Sequence, residues 1–410
     1  QTHPRNHLST PMLTVPEAEA LILQHAHRFA EHEVALDQAT GSVLREDLVA
    51  DRDWPPFDRA TMDGIAVAAA AGARTFAVEG VQPAGRPAGC LRDPRGGCLL
   101  IMAGAMLPDG ADTVIPCEDY EIEGDRVALR LHVQVKRGQY IHRQGIDRKV
   151  GDELLTSGTR LLGPQIALLA SSGRSRVTVA QPPSVAVVSV GDELIELGQP
   201  MEPYQIRPSN AYGVAAGLRH LGAKQIELGL LRDDPESMER SLSALLDRNG
   251  VVILSGGVSK GAFDFVPQTL AKLGVHQVLH RIAQKPGQPL WFGVRPGGAA
   301  VFALPGNPVS TLVCFHRYVV PWWWRSAGAL MPPDPQVTLG QRVELDRPLT
   351  HFLPVRLEAG EDGGPVARLM DYHGSGDHAA LGHSHGFVEL PPVGTPYPAG
   401  ARVRFHGWDA

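Results

Sequence analysis

The run VVILSGGVSKGAFDF, residues 251–265, carries a short apolar strand straight into a glycine-rich turn and on toward a helix. That order of elements turns backbone N–H groups toward an anion. Further along, VFALPGNPVSTLVCFHRYVVP repeats it: a strand over 301–304, the turn Pro305-Gly306-Asn307-Pro308, then a helix from near Pro308. Two such turns at the carboxyl ends of strands point to one pocket for a phosphorylated ligand. Neither ends in Gly-Lys-Ser/Thr and neither reads Gly-x-Gly-x-x-Gly, which counts against ATP and dinucleotide ligands. Asn307, between glycine and proline, is expected to adopt a positive φ.

Around these turns stand the groups that could do chemistry. Asp233, Glu193 and Asp264 are acids at or just beyond expected strand ends, where Mg²⁺ would bridge ligand phosphate to protein through one or two carboxylates. Asp233-Asp234-Pro235 reads equally as a helix N-cap, with Asp234 capping and Pro235 at the first helical position, and Asp264 reads equally as a cap for the helix at Phe265. Ser255 and Ser259 flank Gly256-Gly257, and their hydroxyls can join the backbone in holding an oxyanion, although Ser-Gly-Gly is also a common turn. Lys285, in Lys-Pro-Gly-Gln-Pro, places a cation in a stiff turn between two strands, where it would either neutralise phosphate or stay solvated. His373, His378, His383 and His385 lack the spacing of a zinc ligand set. Trp322-Trp323-Trp324 reads as helix-end packing or a dimer contact.

The elements that must position these residues alternate from Ser184 onward: SVAVVSV, a helix from about Asn210 to Leu221, QIELGLL, a helix from Pro235 to about Arg248, VVIL, and a helix over 265–273. Such alternation means a largely parallel, doubly wound sheet with its pocket beyond the carboxyl ends of the strands. Upstream, Thr14-Val15-Pro16-Glu17 has the makings of a capping box and predicts a helix over about 15–31. Residues 51–137 read as short β-branched runs between Pro and Gly turns, hence a β-rich insertion, and a helix over 164–171 returns the chain to the amino-terminal helix. Residues beyond Pro332 read as short strands of a small β domain.

With 410 residues, the chain exceeds one ordinary core. The net charge of −6, with 20% charged residues, gives no electrostatic footprint for nucleic acid. Four cysteines, Cys90, Cys98, Cys117 and Cys314, show no C-x-x-C spacing and read as thiols of a reduced compartment. With no apolar run near the ~20 residues of a bilayer span, the expectation is a cytoplasmic protein without a membrane partner, ordered from about Met12.

In order along the chain stand PPFDRATMDGIAV, SVGDELIELG, QIRPSNAYGVAAGLRHLGA, RDDPESM, SGGVSKGAFDFV, QKPGQPLWFG, LPGNPVSTLVCFHRYVVP and HGSGDHAALGHSHGFVELP. In these the chain resembles the molybdopterin molybdenumtransferases, or molybdenum insertases, from about Leu13 to the carboxyl terminus. The resemblance implies a four-part homodimer: a helical linker domain (12–50 and 138–180), an inserted β-rich domain (51–137), a molybdopterin-binding α/β domain (181–328) and a barrel-like carboxyl-terminal β domain (329–410). It also implies insertion of molybdate into adenylylated molybdopterin with release of AMP and assistance from Mg²⁺. An adenylyltransferase and the recipient molybdoenzymes are the implied partners. By resemblance, Asp233 and Asp264 handle metal and pyrophosphate, while Ser255, Gly256, Gly257 and Ser259 hold phosphate. Lys285, Pro305, Gly306, Asn307, Pro308 and Ser310 make further ligand contacts. Asp63 of Met-Asp-Gly and Glu193 face the site across domains, so the complete site would need the dimer.

The chain also departs from the family pattern. Ala60-Thr61 stands where a serine commonly precedes the alanine, and Ala103 and Val190 replace threonines. Pro208 replaces an aspartate, Ala262 an acid, and Gln288 the second lysine of Lys-Pro-Gly-Lys-Pro. Several of these remove polar groups outright, which admits a second reading: a paralogue that keeps the pterin pocket as a storage, regulatory or scaffold protein. Asp233, Asp264, Lys285 and Ser259 argue for the enzyme.

Overall fold

The computed structural model describes residues 12–258, 265–361, 363–394 and 396–409. The chain divides into two compact units, one of Gln1–Glu46, Ser157–Ile166 and Arg176–Ala410 and the other of Asp47–Thr156 and Ala167–Ser175.

At the heart of the first unit is a six-stranded sheet in the order Ile226–Leu231, Val185–Val190, Val251–Ser255, Ala300–Leu304, Trp291–Val294, His276–His280. The first four strands are parallel, and Trp291–Val294 runs antiparallel to both its neighbours. VAVVSV is buried at all six positions, as a central strand covered on both faces requires. On one face Val185, Val187, Val251 and Ile253 pack with Ala211, Val214 and Leu218 of the helix Ser209–His220 and Val309 and Val313 of Pro308–Cys314. On the other, Ala186, Val188, Val252 and Leu254 meet Met238, Leu242, Leu245 and Leu246 of the helix Pro235–Arg248 and Val266 and Leu270 of Val266–Lys272. Each fully buried Val or Leu contributes roughly 1.5–3 kcal/mol. The chain leaves the Val185 strand for Ile226 on one side and then crosses to Val251 on the other. The switch in strand order therefore lies between Val185–Val190 and Val251–Ser255, beside the Gly-Gly turn.

The amino-terminal helix has the expected capping box, with Thr14 and Glu17 bonded reciprocally, but it spans Val15–Gln24 and not 15–31. Residues 30–35 instead pair as an antiparallel strand with Arg176–Gln181, Val34 opposite Val177, and this long-range pairing outweighs local helix propensity. Trp322, Trp323 and Trp324 lie in the helix Val320–Ala327 and are core residues, Trp322 and Trp323 at 0% exposure. The Trp323 indole donates to the Leu221 carbonyl at 3.1 Å, so the packing reading holds.

The second unit holds a six-stranded sheet ordered Thr113–Pro116, Gly64–Val67, Gly97–Ile101, Thr75–Gln82, Arg126–Leu129, Tyr120–Glu123 around a core of Ile65, Val67, Phe76, Cys98, Ile115 and Val127.

Back in the first unit, Gln336–Leu339, Thr350–Ala359, Pro365–Leu369, Gly386–Leu390 and Arg402–Gly407 close into a small barrel, because Thr350–Ala359 pairs with both Pro365–Leu369 and Gly386–Leu390. Gln284–Lys285 adds to this barrel as a short parallel strand against Thr350 and His351. The turn after Lys285 does lie between two strands, Gln284–Lys285 and Trp291–Val294, and Lys285 itself ends the first of them. It is strapped to the barrel, facing loops that the sequence places some sixty residues away, at Asp346.

Candidate functional site

The Gly-Gly turn has the geometry its sequence implies. Gly256 and Gly257 take φ +101° and +71°, and a Cβ at Gly256 would run into the Val190 carbonyl oxygen. The Gly256 N–H donates to the Leu304 carbonyl at 3.0 Å, which ties this turn to the end of the neighbouring strand and so to the Pro305 turn. Asn307 does not have the expected positive φ. It is extended, at φ −68° and ψ 129°, because the following Pro308 disfavours the helical region for the residue before it. Its side chain does not cap the helix but donates from Nδ2 to Ser375 Oγ at 2.8 Å, in a loop of the barrel region. Thr311 Oγ1 donates to the Pro305 carbonyl at 2.6 Å and braces the turn from within the helix. Ser310 is 4% exposed on that helix, at the rim of the same cavity.

Asn210, in the first turn of Ser209–His220, joins the two loops. Its Nδ2 donates to Ser255 Oγ at 2.8 Å and to the Gly306 carbonyl at 2.7 Å. A carbonyl can only accept, so this contact fixes which end of the amide faces the turns. Ser255 Oγ, being an acceptor here, keeps its own proton to donate elsewhere. On the adjacent strand and the same pleated face, Ser189 pairs in register with Ser255 and has a buried hydroxyl without a hydrogen-bond partner. In the sequence Asn210 marks only the approximate start of a helix, and nothing there shows that its amide reaches two distant turns; Pro208 holds the cap position, without a side-chain bond.

The acids separate by role. Asp234 is the helix cap, accepting from the Ser237 N–H at 2.8 Å with Pro235 at the first helical position, and this bond lowers its pKa. Asp233 sits one residue earlier, and its N–H donates to Asp192 Oδ1 at 3.2 Å. Arg232 donates to the Asp192 carbonyl at 2.6 Å, so the ends of the Val185 and Ile226 strands are cross-tied. Glu193 folds its carboxylate back over Gly191. Asp63, in the second unit, accepts from the Ala103 N–H at 2.8 Å. A backbone group makes that bond, so Ala103 keeps it without the threonine hydroxyl of the family pattern. Asp264 and Ser259 lie outside the described residues, as does Ala262. Among the described residues no three His, Cys, Asp or Glu side chains converge as a metal cage.

A cavity of about 520 Å³ lies in front of the two turns. Gly257, Val258, Pro305, Gly306, Asn307 and Ser310 form one wall, and residues 284–289 with Lys285 form a second. Arg347, Leu349, Tyr372, Gly374 and Ser375, from barrel loops, form the third. These barrel residues were not among the sequence candidates, because nothing in RPL or YHGS announces a neighbour so distant in the chain. Gln288 also lines the cavity, with its amide against the Met12 sulfur at 2.8 Å. Burial raises the Tyr372 phenol pKa, and the nearby Asp346 carboxylate raises it further.

A doubly wound sheet whose strand-end turns line a cavity of about 520 Å³, with loops of a small β-barrel as its third wall, defines a multidomain α/β protein with a pocket at its strand ends. Family models cover nearly the whole of it: the MoeA N-terminal region (domain I and II) at residues 13–173, a probable molybdopterin binding domain at 186–323, and the MoeA C-terminal region (domain IV) at 336–408. The chain is 37% identical over 401 residues to a molybdopterin molybdenumtransferase of Synechocystis sp., covering 97% of this chain and 100% of the relative. It is 37% identical over 316 residues to the one of Haemophilus influenzae, covering 76% of each. A solved structure of a molybdopterin biosynthesis moeA protein from Pyrococcus horikoshii superposes with a TM-score of 0.80 at 28% identity, covering 97% of this chain and 100% of that one. The chain belongs to the molybdopterin molybdenumtransferase family.

Proposed function

We propose that this protein is a transferase of molybdenum cofactor biosynthesis that takes adenylylated molybdopterin and molybdate, places the metal at the dithiolene sulfurs and releases AMP. The observation that carries this reading is the cavity in which the Gly256-Gly257 turn, Lys285 and the Pro305 turn meet. Its 520 Å³ and its mixed apolar and cationic walls suit a phosphorylated heterocycle.

In this reading, the backbone N–H of Gly257 and the Ser255 hydroxyl hold phosphate oxygens, while the Gly256 N–H stays on the Leu304 carbonyl and fixes the turn. Lys285 and Arg347 balance the charge of phosphate and molybdate, and Ser310 and Asn307 fix the ligand against the Pro308 helix. Asp233, Asp264, Glu193 and Asp63 supply the acids of the site. Mg²⁺ suits a donor set of one or two carboxylates plus ligand phosphate, so Asp233 and Asp264 would hold it without a protein cage, and there it would neutralise phosphate charge. The proposal includes the four-part domain division, a homodimer that completes the site with Asp63, and transient contact with an adenylyltransferase and with recipient molybdoenzymes.

The test is turnover of adenylylated molybdopterin with Mg²⁺, with and without molybdate, in the wild-type protein and in Asp264→Asn. Molybdate-dependent AMP release that Asp264→Asn abolishes, with the oligomeric state unchanged, supports the reading. Tight retention of the nucleotide without release supports the storage or regulatory paralogue instead.

A further inference from the structure

Lys285 does not stand alone in the cavity wall. Its ammonium meets Asp346 Oδ2 at 2.5 Å, and the other oxygen of the same carboxylate meets His351 Nε2 at 2.7 Å. His351 is 4% exposed and is held from its far side by the Leu349 carbonyl, 3.0 Å from Nδ1. It is also the register partner of Lys285 in the short parallel pairing. Asp346 is thereby fixed from two directions, by a buried ring and by the cavity lysine, while remaining 56% exposed along its side chain. Lys285 and then His351 hold its carboxyl down to about 2, so it is ionised whenever the protein is folded near neutral pH. Its charge extends into the cavity, where it contributes to the raised pKa of Tyr372.

A lysine bound to a carboxylate has one fewer unit of charge to offer a ligand. We propose that Asp346 is a built-in counter-anion: it occupies Lys285 in the free protein and competes with the ligand's oxyanion for the same ammonium. Asp346 thereby sets the affinity and salt sensitivity of the cavity and favours ligands with enough negative charge to win the exchange. A singly charged anion gains little by displacing a carboxylate of equal charge. A dianionic molybdate or phosphate gains more from Lys285 and Arg347 together. The His351 backing matters because it keeps Asp346 in place after Lys285 has moved to the ligand, so the exchange is reversible without refolding the loop.

This inference rests on the cavity being the phosphate- and molybdate-binding site, and the experiment separates the two. Molybdate binding is measured by titration calorimetry at two ionic strengths for the wild-type protein, Asp346→Asn, Lys285→Gln and the double variant. The expected result is molybdate binding about two- to fivefold tighter in Asp346→Asn, the scale of an exposed ion pair. Lys285→Gln should bind more weakly than the wild type, and the gain from Asp346→Asn should be smaller in the double variant, where only the through-space repulsion of Asp346 is left to relieve. A gain in affinity cannot come from a damaged fold, so the sign alone excludes a merely structural role. Equal or weaker binding in Asp346→Asn, with Lys285→Gln still weaker than the wild type, overturns the counter-anion and leaves the site standing. Molybdate binding indifferent to Lys285 overturns both.

Discussion

Asn210 Nδ2 lies 2.8 Å from Ser255 Oγ and 2.7 Å from the Gly306 carbonyl oxygen, so one side-chain amide spans the two turns that face the cavity. The turns belong to strands far apart in sequence, and neither can move without losing that amide. Asn210→Ala should therefore loosen the ligand more than the fold. We expect the KM for adenylylated molybdopterin to rise about tenfold, corresponding to one or two hydrogen bonds of ~1 kcal/mol each. The melting temperature should fall by only a few degrees. Steady-state kinetics beside thermal unfolding checks this, and an unchanged KM would remove Asn210 from the site.

Gly256 gives a harsher test of the same turn. At φ +101°, with the Val190 carbonyl where a Cβ would go, Gly256→Ala must both strain the backbone and push two strand ends apart. A loss of about 1–3 kcal/mol in stability is expected, together with loss of nucleotide binding. Chemical denaturation and ligand titration on one preparation measure both. Alanine accepted without either change would contradict the close approach.

Gln288 lines the cavity as a neutral residue. Gln288→Lys adds a cation there, and it should tighten molybdate binding several-fold at low salt, the gain shrinking as ionic strength rises. Titration at two salt concentrations reads both effects. A salt-independent gain, or none, would mean that position 288 does not face the bound anion.

Away from the cavity, Arg317 is 1% exposed and bonds Glu389 Oε2 at 2.9 Å and Glu19 Oε2 at 2.8 Å, joining the amino-terminal helix, the Pro308 helix region and the barrel. Burial alone would raise the Glu389 carboxyl. The His406 bond and the Arg317 charge outweigh it and hold the group down to about 2, against an ordinary value of 4.5. A carboxyl depressed by folding stabilises the folded state above its unfolded value, and that contribution disappears as pH falls from about 4.5 toward 2. Unfolding free energy should decline across that window in the wild type and less steeply in Glu389→Gln. Arg317→Met, which removes one charged partner of Glu389 but leaves His406 and Arg404 beside it, should cost about 1.5–3 kcal/mol at neutral pH.

The parts of this structure that were legible in the sequence are those encoded locally. Six consecutive buried residues in VAVVSV, Gly-Gly after VVILS, and Asp234-Pro235 ahead of a helix each follow from a few neighbouring side chains. The rest depends on distant partners. The first helix ends at Gln24 because residues 30–35 find a strand at 176–181, and Asn307 is extended because Pro308 follows and Ser375 receives its amide. Lys285 was recognisable as a cation. Its bond to Asp346 and its neighbour Arg347 were not, since the closure of the barrel brings them there.

The central claim is that this cavity transforms its ligand. The most direct measurement follows AMP and pterin-bound molybdenum together after the purified protein is mixed with adenylylated molybdopterin, Mg²⁺ and molybdate. The account predicts one AMP released for each molybdenum retained on the pterin, with neither formed when molybdate is omitted. Adenylylated molybdopterin that stays bound and intact in the presence of molybdate would contradict it.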